Sequence, residues 1–416
     1  MDLDARLTVL GSLNMDISVS VPSLPSPGET VLGGAAAFAP GGKGANQAVA
    51  AARLGRGAGV AVRMVGCVGD DDFGRALRSA LTAEGVDDQA VRTVPGVPTG
   101  IAMITVDQAG ENIITVAPGA NRDVGPAEVA ATGEKPAVAG QAVPTSAASH
   151  TAASHTAVGH TAVGHSASGQ PTASHTVTGQ GVTGQAASGQ AASGQAASGQ
   201  AVAGQTAAAG PAGVLVISAE IPVPAILAAL TATGDGQPAG PRPLTVLNLA
   251  PAPPEAVRLV AAGPDWLVVN ESEAAAVLGR PVAGLEAAAQ AAADLVAAGA
   301  GHAVVTAGAA GAAYQCGRGS RGEGHEGHEG HGGDVGGTVP AFKVRAVDSV
   351  GAGDTFVGAL AVALAAGLAP RDAVTAAAAA GAAAAARPGT QAGMPRPADI
   401  RTVTGYDWPI PPPTGP

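Results

Sequence analysis

Aromatic side chains make up only 2% of this 416-residue sequence, so any core must be built from Val, Leu, Ile and Ala. Charge is scarce too, at 13% where an ordinary soluble domain carries about a quarter. Cations are the scarcer sign: 21 Lys and Arg against 32 Asp and Glu give a formal charge of −11. Such a balance cannot neutralise a phosphodiester backbone, which argues against a general nucleic-acid binder. A few nucleotide phosphates stay within reach, since backbone amides and a divalent ion can hold them. The two cysteines, Cys67 and Cys316, are far apart and in no metal-ligand spacing. They give no disulfide framework and fit a reducing compartment. No apolar run is long and bulky enough to cross a bilayer, and the opening MDLDARLTVLGSLNMD has no basic stretch leading into an apolar one. The expectation is a cytoplasmic protein without a membrane partner. The Ala-rich stretch 373–386 is too short to span a bilayer and reads as a buried helix.

Two tracts lack the apolar residues a core needs. From about Gly133 to Gly210 the chain is Ala, Gly, Ser, Thr, Gln and His with a period of five, and AASGQ stands three times in succession from Ala186. That period matches neither helix nor strand, and the composition cannot offset chain entropy, so a disordered insertion is expected. A Gly-rich tract from about Gly317 to Gly337 contains HEGHEGH, whose recurring imidazoles and carboxylates could take up Zn²⁺ or Ni²⁺ loosely. Eight of the nine histidines lie in these tracts, leaving His302, which argues against a histidine triad or a His-rich catalytic metal site. Without them about 300 residues remain, a normal size for one α/β domain.

That remainder alternates between β-branched apolar runs and helical stretches. Strands are expected at Leu7–Leu10, Val60–Val65, Val214–Ile217, Leu244–Leu247, Trp266–Val269, Ala303–Val305 and Phe342–Val347. Helices are expected at Ala45–Leu54, Phe73–Glu84, Leu285–Ala298, Asp354–Ala366 and Arg371–Ala386. Strands that read as buried, with helices between them, imply a Rossmann-like, doubly wound, mostly parallel α/β sheet. Two pairs have no partner helix: Ile17–Val21 with Thr30–Leu32, and Ile101–Val106 with Asn112–Val116 across the turn DQAGE. They predict a small β-sheet standing off the main one as a lid, within about 14–40 and 98–118.

The strongest chemical signal is the string DSVGAGDTF from Asp348 to Phe356, at a strand-to-helix junction. Gly351, Ala352 and Gly353 let the backbone turn tightly with its N–H groups outward, and a helix starting at Asp354 adds its positive dipole end. Such a turn suits a phosphate whose charge grows during transfer, and the Asp354 carboxylate can take a proton from an attacking hydroxyl. An Asp at a helix start is more often a simple cap; the full string favours function. PGGKGANQ, from Pro40 to Gln47, is not a Walker A loop, because Lys43 is followed by Gly44 and no Ser or Thr is placed for Mg²⁺. Its Lys43 and Asn46 suit sugar hydroxyls, although a tight turn alone would also explain the glycines. GSLNMD, from Gly11 to Asp16, puts Asn14 and Asp16 past the first strand, where doubly wound sheets bind ligands. An Asx turn is the plainer reading there.

Together GSLNMD, PSPGETV, GGKGANQA, VNESE and DSVGAGDTF, in this order, resemble the ribokinase branch of the phosphofructokinase-B carbohydrate kinase family over nearly all of the chain outside the two tracts. The resemblance implies ATP-dependent phosphorylation of a small sugar at a primary hydroxyl, with ribose favoured over fructose, deoxyribose or a nucleoside such as adenosine. It implies sugar contacts from Asn14, Met15, Asp16, Gly42, Lys43, Gly44, Ala45, Asn46 and Glu220, with Asp354 as base and Gly351–Gly353 as anion hole. ATP would meet Asn270, the run Thr306, Ala307, Gly308, Ala309, Ala310 and Gly311, and also Gly353 and Asp354; Glu273 would act on Mg²⁺ through water. A monovalent cation, K⁺, would sit among Asp348, Val350, Ala384, Arg387, Gly389 and Gly393, and a homodimer would form through the lids. Two positions depart from the family pattern: Gly393 stands in place of a serine at the cation site, and Ala378 in place of a polar residue facing adenine. A nicotinamide dehydrogenase would need G-x-G-x-x-G straight after the first strand, which GSLNMD does not supply. A non-catalytic sugar-binding module is the remaining alternative, and the intact Asp354 string speaks against it.

Overall fold

A computed structural model describes residues 6–133, 213–232, 242–317 and 336–410. These belong to one compact unit, Met1–Gln141 with Ala208–Pro416. Nearly all of the five-residue repeat and of the Gly/His tract lies outside the described residues.

The described strands are, in chain order, β1 (Arg6–Leu10), β2 (Asn14–Ser20), β3 (Ala37–Gly41), β4 (Ala61–Gly69), β5 (Asp87–Val94), β6 (Gly100–Val106) and β7 (Asn112–Ala117), then β8 (Val214–Ser218), β9 (Leu244–Asn248), β10 (Trp266–Asn270), β11 (His302–Thr306), β12 (Gly311–Cys316) and β13 (Gly336–Pro340). Nine form one sheet in the order β13-β12-β11-β10-β9-β8-β1-β4-β5. The seven from β11 to β5 run parallel, and β12 and β13 add an antiparallel margin.

Alternate residues of the parallel strands feed two separate cores. Val9, Val214, Val246 and Val268 join one, against the helices Lys43–Gly55, Ala352–Ala365 and Pro370–Ala385. Leu10, Leu215, Leu247 and Leu267 join the other, against Val223–Ala232, Ala256–Ala261 and Gly284–Ala297. Both faces are covered, so these strands carry apolar side chains without alternation, as sheets buried on both sides require. The expected doubly wound α/β architecture is present. With Ala at most positions, the Pro370–Ala385 helix buries Ala373, Ala376, Ala377, Ala380 and Ala383 and lies close against its neighbours.

The remaining four strands form the small sheet, in the order β3-β2-β6-β7. The hairpin β6–β7 pairs antiparallel as expected, closed by the Asp107 N–H donating to Glu111 O at 2.9 Å. The other pairing differs from expectation. The antiparallel partner of β2 is Ala37–Gly41 rather than Thr30–Leu32. A turn closes at Ser26–Glu29, Gly34 N–H then donates to Ser20 O, and the chain pairs with β2 only after that crossing, leaving Leu32 89% exposed.

Two further expectations are corrected. Residues Phe342–Val347 form no strand, because β12 begins at Gly311, opposite Pro340, and offers nothing to pair with beyond it. The helix carrying Asp354 begins at Ala352, capped by Gly351 in the left-handed region at φ 79°, so Asp354 sits within the first turn. The edge strand β5 was not foreseen, since DDQAVRTV shows neither a full apolar run nor strict alternation.

The Lys43 and Ala352 helices cross at Gly358. A Cβ there would meet Gln47 O at 2.7 Å, Ala50 Cβ at 2.8 Å and Ala51 N at 3.0 Å, mostly backbone that cannot step aside. Gly358→Val is expected to cost about 1–3 kcal/mol of stability, read as a lower urea midpoint at unchanged slope. An unshifted midpoint would show that the two helices do not lean on each other there.

Candidate active site

The chemistry-bearing motifs gather at the carboxyl ends of the parallel strands, as open α/β sheets arrange them. β1 runs out into Ser12 and Asn14, β8 into Glu220, β9 ends in Asn248, β10 in Asn270 and β11 in Thr306. The first turns of the Lys43 and Ala352 helices bring Asn46, Gln47 and Asp354 to the same edge.

Asp354 is 8% exposed. Its Oδ2 accepts from Asn46 Nδ2 at 2.9 Å and its Oδ1 from Gln47 Nε2 at 3.1 Å. Asn46 Oδ1 accepts from Gln391 Nε2 at 3.0 Å, and Gln47 Nε2 also donates to Asn248 Oδ1 at 3.0 Å. The neighbouring turn is open on one side: nothing lies within 4 Å of where a Cβ on Gly353 would stand. On the other side a Cβ on Gly351 would press on Thr390 Cγ2 at 2.9 Å. The Ala352 N–H donates to Ser349 O at 3.2 Å, a long bond that an incoming anion would have to replace.

Glu220 Oε2 accepts from Ser12 Oγ at 2.6 Å and from the Lys43 N–H at 3.4 Å. Asn14, 3% exposed, is oriented by Asn121, whose Nδ2 donates to Asn14 Oδ1 at 2.8 Å. Gly42, at φ 88°, passes so close to Leu13 and Asn14 that a Cβ there would lie 2.6 Å from Asn14 N. Met15 points away into the main core, as its place between Asn14 and Asp16 on a strand dictates. Gly44 and Ala45 are buried and act through the backbone, with the Ala45 N–H donating to Ser12 O.

One ammonium faces four carboxylates. Lys43 is held above the usual lysine range, first by Asp354 and then, against its own burial, by Glu220, Glu273 and Asp16. Burial, with Glu220 and Asp354 adding to it, pushes the Asp16 carboxyl up to about 7. Glu273 is raised chiefly by burial. It also closes a capping box: the Asn270 N–H donates to Glu273 Oε2 at 2.8 Å and the Glu273 N–H to Asn270 Oδ1 at 2.9 Å.

The loop after β11 is shaped by glycines. Gly308 (φ 50°) and Gly311 (φ 120°) lie in the left-handed region, and the Ala307 N–H donates to Gly311 O at 2.8 Å. Thr306 Oγ1 donates back to Val269 O, while Ala309 and Ala310 lie exposed on the loop. Ala378 packs half-buried against the core. A further cluster surrounds Asp348, whose Oδ1 accepts from the Val350 N–H at 3.0 Å and Oδ2 from the Gly389 N–H at 2.9 Å. Ala384 O accepts from the Arg387 N–H, and a Cβ on Gly393 would stand 3.1 Å from Arg387 O and 3.2 Å from Pro388 O.

The sequence matches the pfkB family carbohydrate kinases over residues 4–162 and 166–397. The chain belongs to that family. It is 48% identical to a ribokinase of Haemophilus influenzae over 115 residues, 28% of this chain and 36% of that protein. To a ribokinase of Schizosaccharomyces pombe it is 46% identical over 128 residues, 30% of this chain and 40% of that one. The match thus spans about two fifths of the length of these curated relatives. Among solved structures, the Thermotoga maritima ribokinase superposes with a TM-score of 0.63 at 24% identity, covering 96% of this chain and 98% of that one. The Arabidopsis thaliana ribokinase, complexed with ribose and ATP, superposes with a TM-score of 0.62 at 23% identity, covering 97% and 99%. Both likenesses speak for the fold.

Sequence reasoning passed over Ser12, Gln47, Asn121, Asn248 and Gln391, all of which hold members of this candidate site in place. Ser12 and Gln47 stood inside motifs already singled out; the others have no local signal, because their roles arise from segments far apart in the chain.

In the unfolded chain Asp16 ionises near its ordinary 3.8, whereas in the folded protein it holds its proton up to about 7. Folding is therefore penalised progressively as the pH rises through that interval, and fully above it. Asp16→Asn is expected to raise the melting temperature of the unliganded protein at about pH 8 and to leave it nearly unchanged at about pH 4. Equal effects at the two pH values would mean that Asp16 is not a buried, crowded carboxylate.

Proposed function

We propose that this chain transfers the γ-phosphoryl group of ATP to the primary hydroxyl of a small sugar, with D-ribose giving ribose 5-phosphate. The observation that carries the reading is Asp354, buried in the first turn of its helix with both oxygens oriented by Asn46 and Gln47 from the glycine-rich segment. The ribokinase names of the relatives, and the ribose and ATP in the Arabidopsis thaliana structure, support the choice of substrates.

Asn14, Asp16, Lys43, Asn46 and Glu220 would hold the sugar through its hydroxyls, helped by the backbone of Gly42, Gly44 and Ala45 and with Met15 packed behind. Lys43 balances the carboxylates around it, so acidic groups can line a sugar pocket without repelling one another. Asp354 then accepts the proton of the primary hydroxyl as that oxygen attacks phosphorus. The Gly351–Gly353 amides and the positive end of the Ala352 helix meet the charge that moves onto the phosphoryl oxygens. Most of the catalysis is positioning and charge stabilisation, as phosphoryl transfer generally requires. Asn270, the loop Thr306–Gly311 and the Gly353–Asp354 backbone line the nucleotide side, and Asp354 stands between nucleotide and sugar.

The residues fit the expected ions. Mg²⁺ keeps several waters and binds phosphate oxygens through few carboxylates. Glu273 answers that description: it is a partly buried carboxylate drawn toward Lys43, and its Oε1 makes no bond in the capping box. Bound there through water, the ion would neutralise phosphate charge. For K⁺, the carbonyl oxygens of Arg387 and Pro388 border the space a Cβ at Gly393 would fill, and the Asp348 carboxylate lies beside Gly389 and Val350. Oxygens of this kind from Ala384, Arg387 and Gly389 suit a weakly hydrated cation, and the missing serine hydroxyl at Gly393 weakens its grip.

The small sheet and its β2–β3 connection keep Leu32, Phe38, Met103, Ile113, Ile114 and Val116 exposed, and we place the second copy of a homodimer there. No described helix is long and apolar enough to cross a membrane. Cytoplasm remains the proposed location on sequence grounds.

The test is coupled ADP release across ribose, deoxyribose, fructose and adenosine, with and without K⁺. Ribose is expected to give the highest kcat/KM. Asp354→Asn should lower kcat by about 10²–10⁴-fold with ATP binding nearly intact. Turnover close to wild type would remove Asp354 from the base role.

A further inference from the structure

Asp354 is gripped from two sides, and each grip is held in turn. One arm runs from Asp354 Oδ2 through Asn46 to Gln391, the other from Oδ1 through Gln47 to Asn248, whose Nδ2 reaches Val268 O at 3.3 Å. A carboxamide has nearly the same shape at both ends and opposite polarity; the carboxylate, which only accepts, calls for its NH₂, and a donor at the far end pins it in that orientation. For Asn46 that donor is Gln391. Because Gln391 Nε2 donates to Asn46 Oδ1, only Asn46 Nδ2 is left to face Asp354. The backbone of Gln391 is held from the same helix: Arg53 Nη1 donates to the main-chain carbonyls of Gln391 at 2.6 Å and Met394 at 2.8 Å. The rest of that guanidinium is paired with Glu84 at 3.0 and 2.6 Å. The Thr390–Gly393 turn is thereby clipped to the helix that presents Asn46.

We infer that Gln391 is a positioning residue for phosphoryl transfer, holding the Asn46 carboxamide with its NH₂ toward Asp354 and so fixing the plane in which that carboxylate meets the sugar hydroxyl. The inference rests on the base role proposed for Asp354. Without the Gln391 donor, the Asn46 oxygen loses its partner and the side chain is free to swing, so the Nδ2 donor is no longer held in one place against Asp354 Oδ2. A misplaced base costs rate while substrates still bind, because displacements well under an ångström break the alignment that proton transfer needs.

Three substitutions separate this relay from simple packing. Gln391→Glu keeps the size and removes the donor; its ionised oxygens invite the Asn46 NH₂ to turn toward them and away from Asp354. Gln391→Met keeps the length without any amide, and Gln391→Ala removes both. The relay gives kcat losses of about tenfold for Gln391→Ala and Gln391→Met and about a hundredfold for Gln391→Glu, with KM for ATP within about twofold of wild type. A packing role gives the opposite order, with Gln391→Glu the mildest and Gln391→Ala the most damaging. The inference is overturned if Gln391→Glu matches or exceeds Gln391→Ala in kcat, or if the three variants lose KM for ATP and kcat together. A wild-type chain that phosphorylates none of the sugars overturns the proposed function and takes this inference with it; a normal wild type with the packing order overturns the inference alone.

Discussion

Everything at the active edge depends on how closely two helices approach. The Lys43 and Ala352 helices touch through Gly358, and that contact brings Asn46 and Gln47 within hydrogen-bonding distance of Asp354, some three hundred positions away in sequence. Small residues make the approach possible. Ala48, Ala50, Ala51, Ala359, Ala361 and Ala363 are buried along these two helices, so the scarcity of aromatics and the abundance of Ala are a packing strategy. A core of small side chains gains little from each residue, and compensates by bringing backbones near enough for short polar side chains to meet.

The electrostatics follow from the same crowding. Lys43, Asp16, Glu220, Glu273 and Asp354 share one edge of the sheet, and their pulls are mutual: Asp354 raises Lys43, while Asp354 and Glu220 help burial raise Asp16. The unliganded pocket is thus held under tension, with one cation serving several anions. In the proposed reading, sugar hydroxyls would relieve that tension by donating to the carboxylates. The phosphates of the proposed nucleotide would approach from the other side, toward backbone N–H groups and a helix end rather than toward the carboxylates.

Much of this was legible in the sequence because it is local. The parallel strands announce themselves as runs buried on both faces, and DSVGAGDTF combines turn, dipole and carboxylate in one string. The failures are equally physical. Thr30–Leu32 has strand-like residues, but the turn at Ser26–Glu29 and the Gly33–Gly34 crossing carry the chain past the neighbour it would need. Phe342–Val347 has the right composition on the wrong side of Pro340, beyond the end of its partner. Helix capping moved the first turn two residues back, because Gly351 can adopt a left-handed conformation that fixes the start. Asn121, Asn248 and Gln391 were invisible for a different reason: a hydrogen bond between distant segments leaves no periodicity to read.

The small sheet joins the main body at narrow necks, and the necks are glycine-bearing: Gly11, Gly41–Gly42, Gly100 and Gly119. Two residues expected to grasp one sugar fall on opposite sides of that line, with Asp16 out on β2 and Asn46 on the body's own helix. A sugar held by both, as proposed, would tie the small sheet to the body. Its shape would then set how completely that tie is made, so a hydroxyl missing or misplaced on a competing sugar would leave one end unmade, and discrimination among pentoses would become a matter of leverage as much as of affinity.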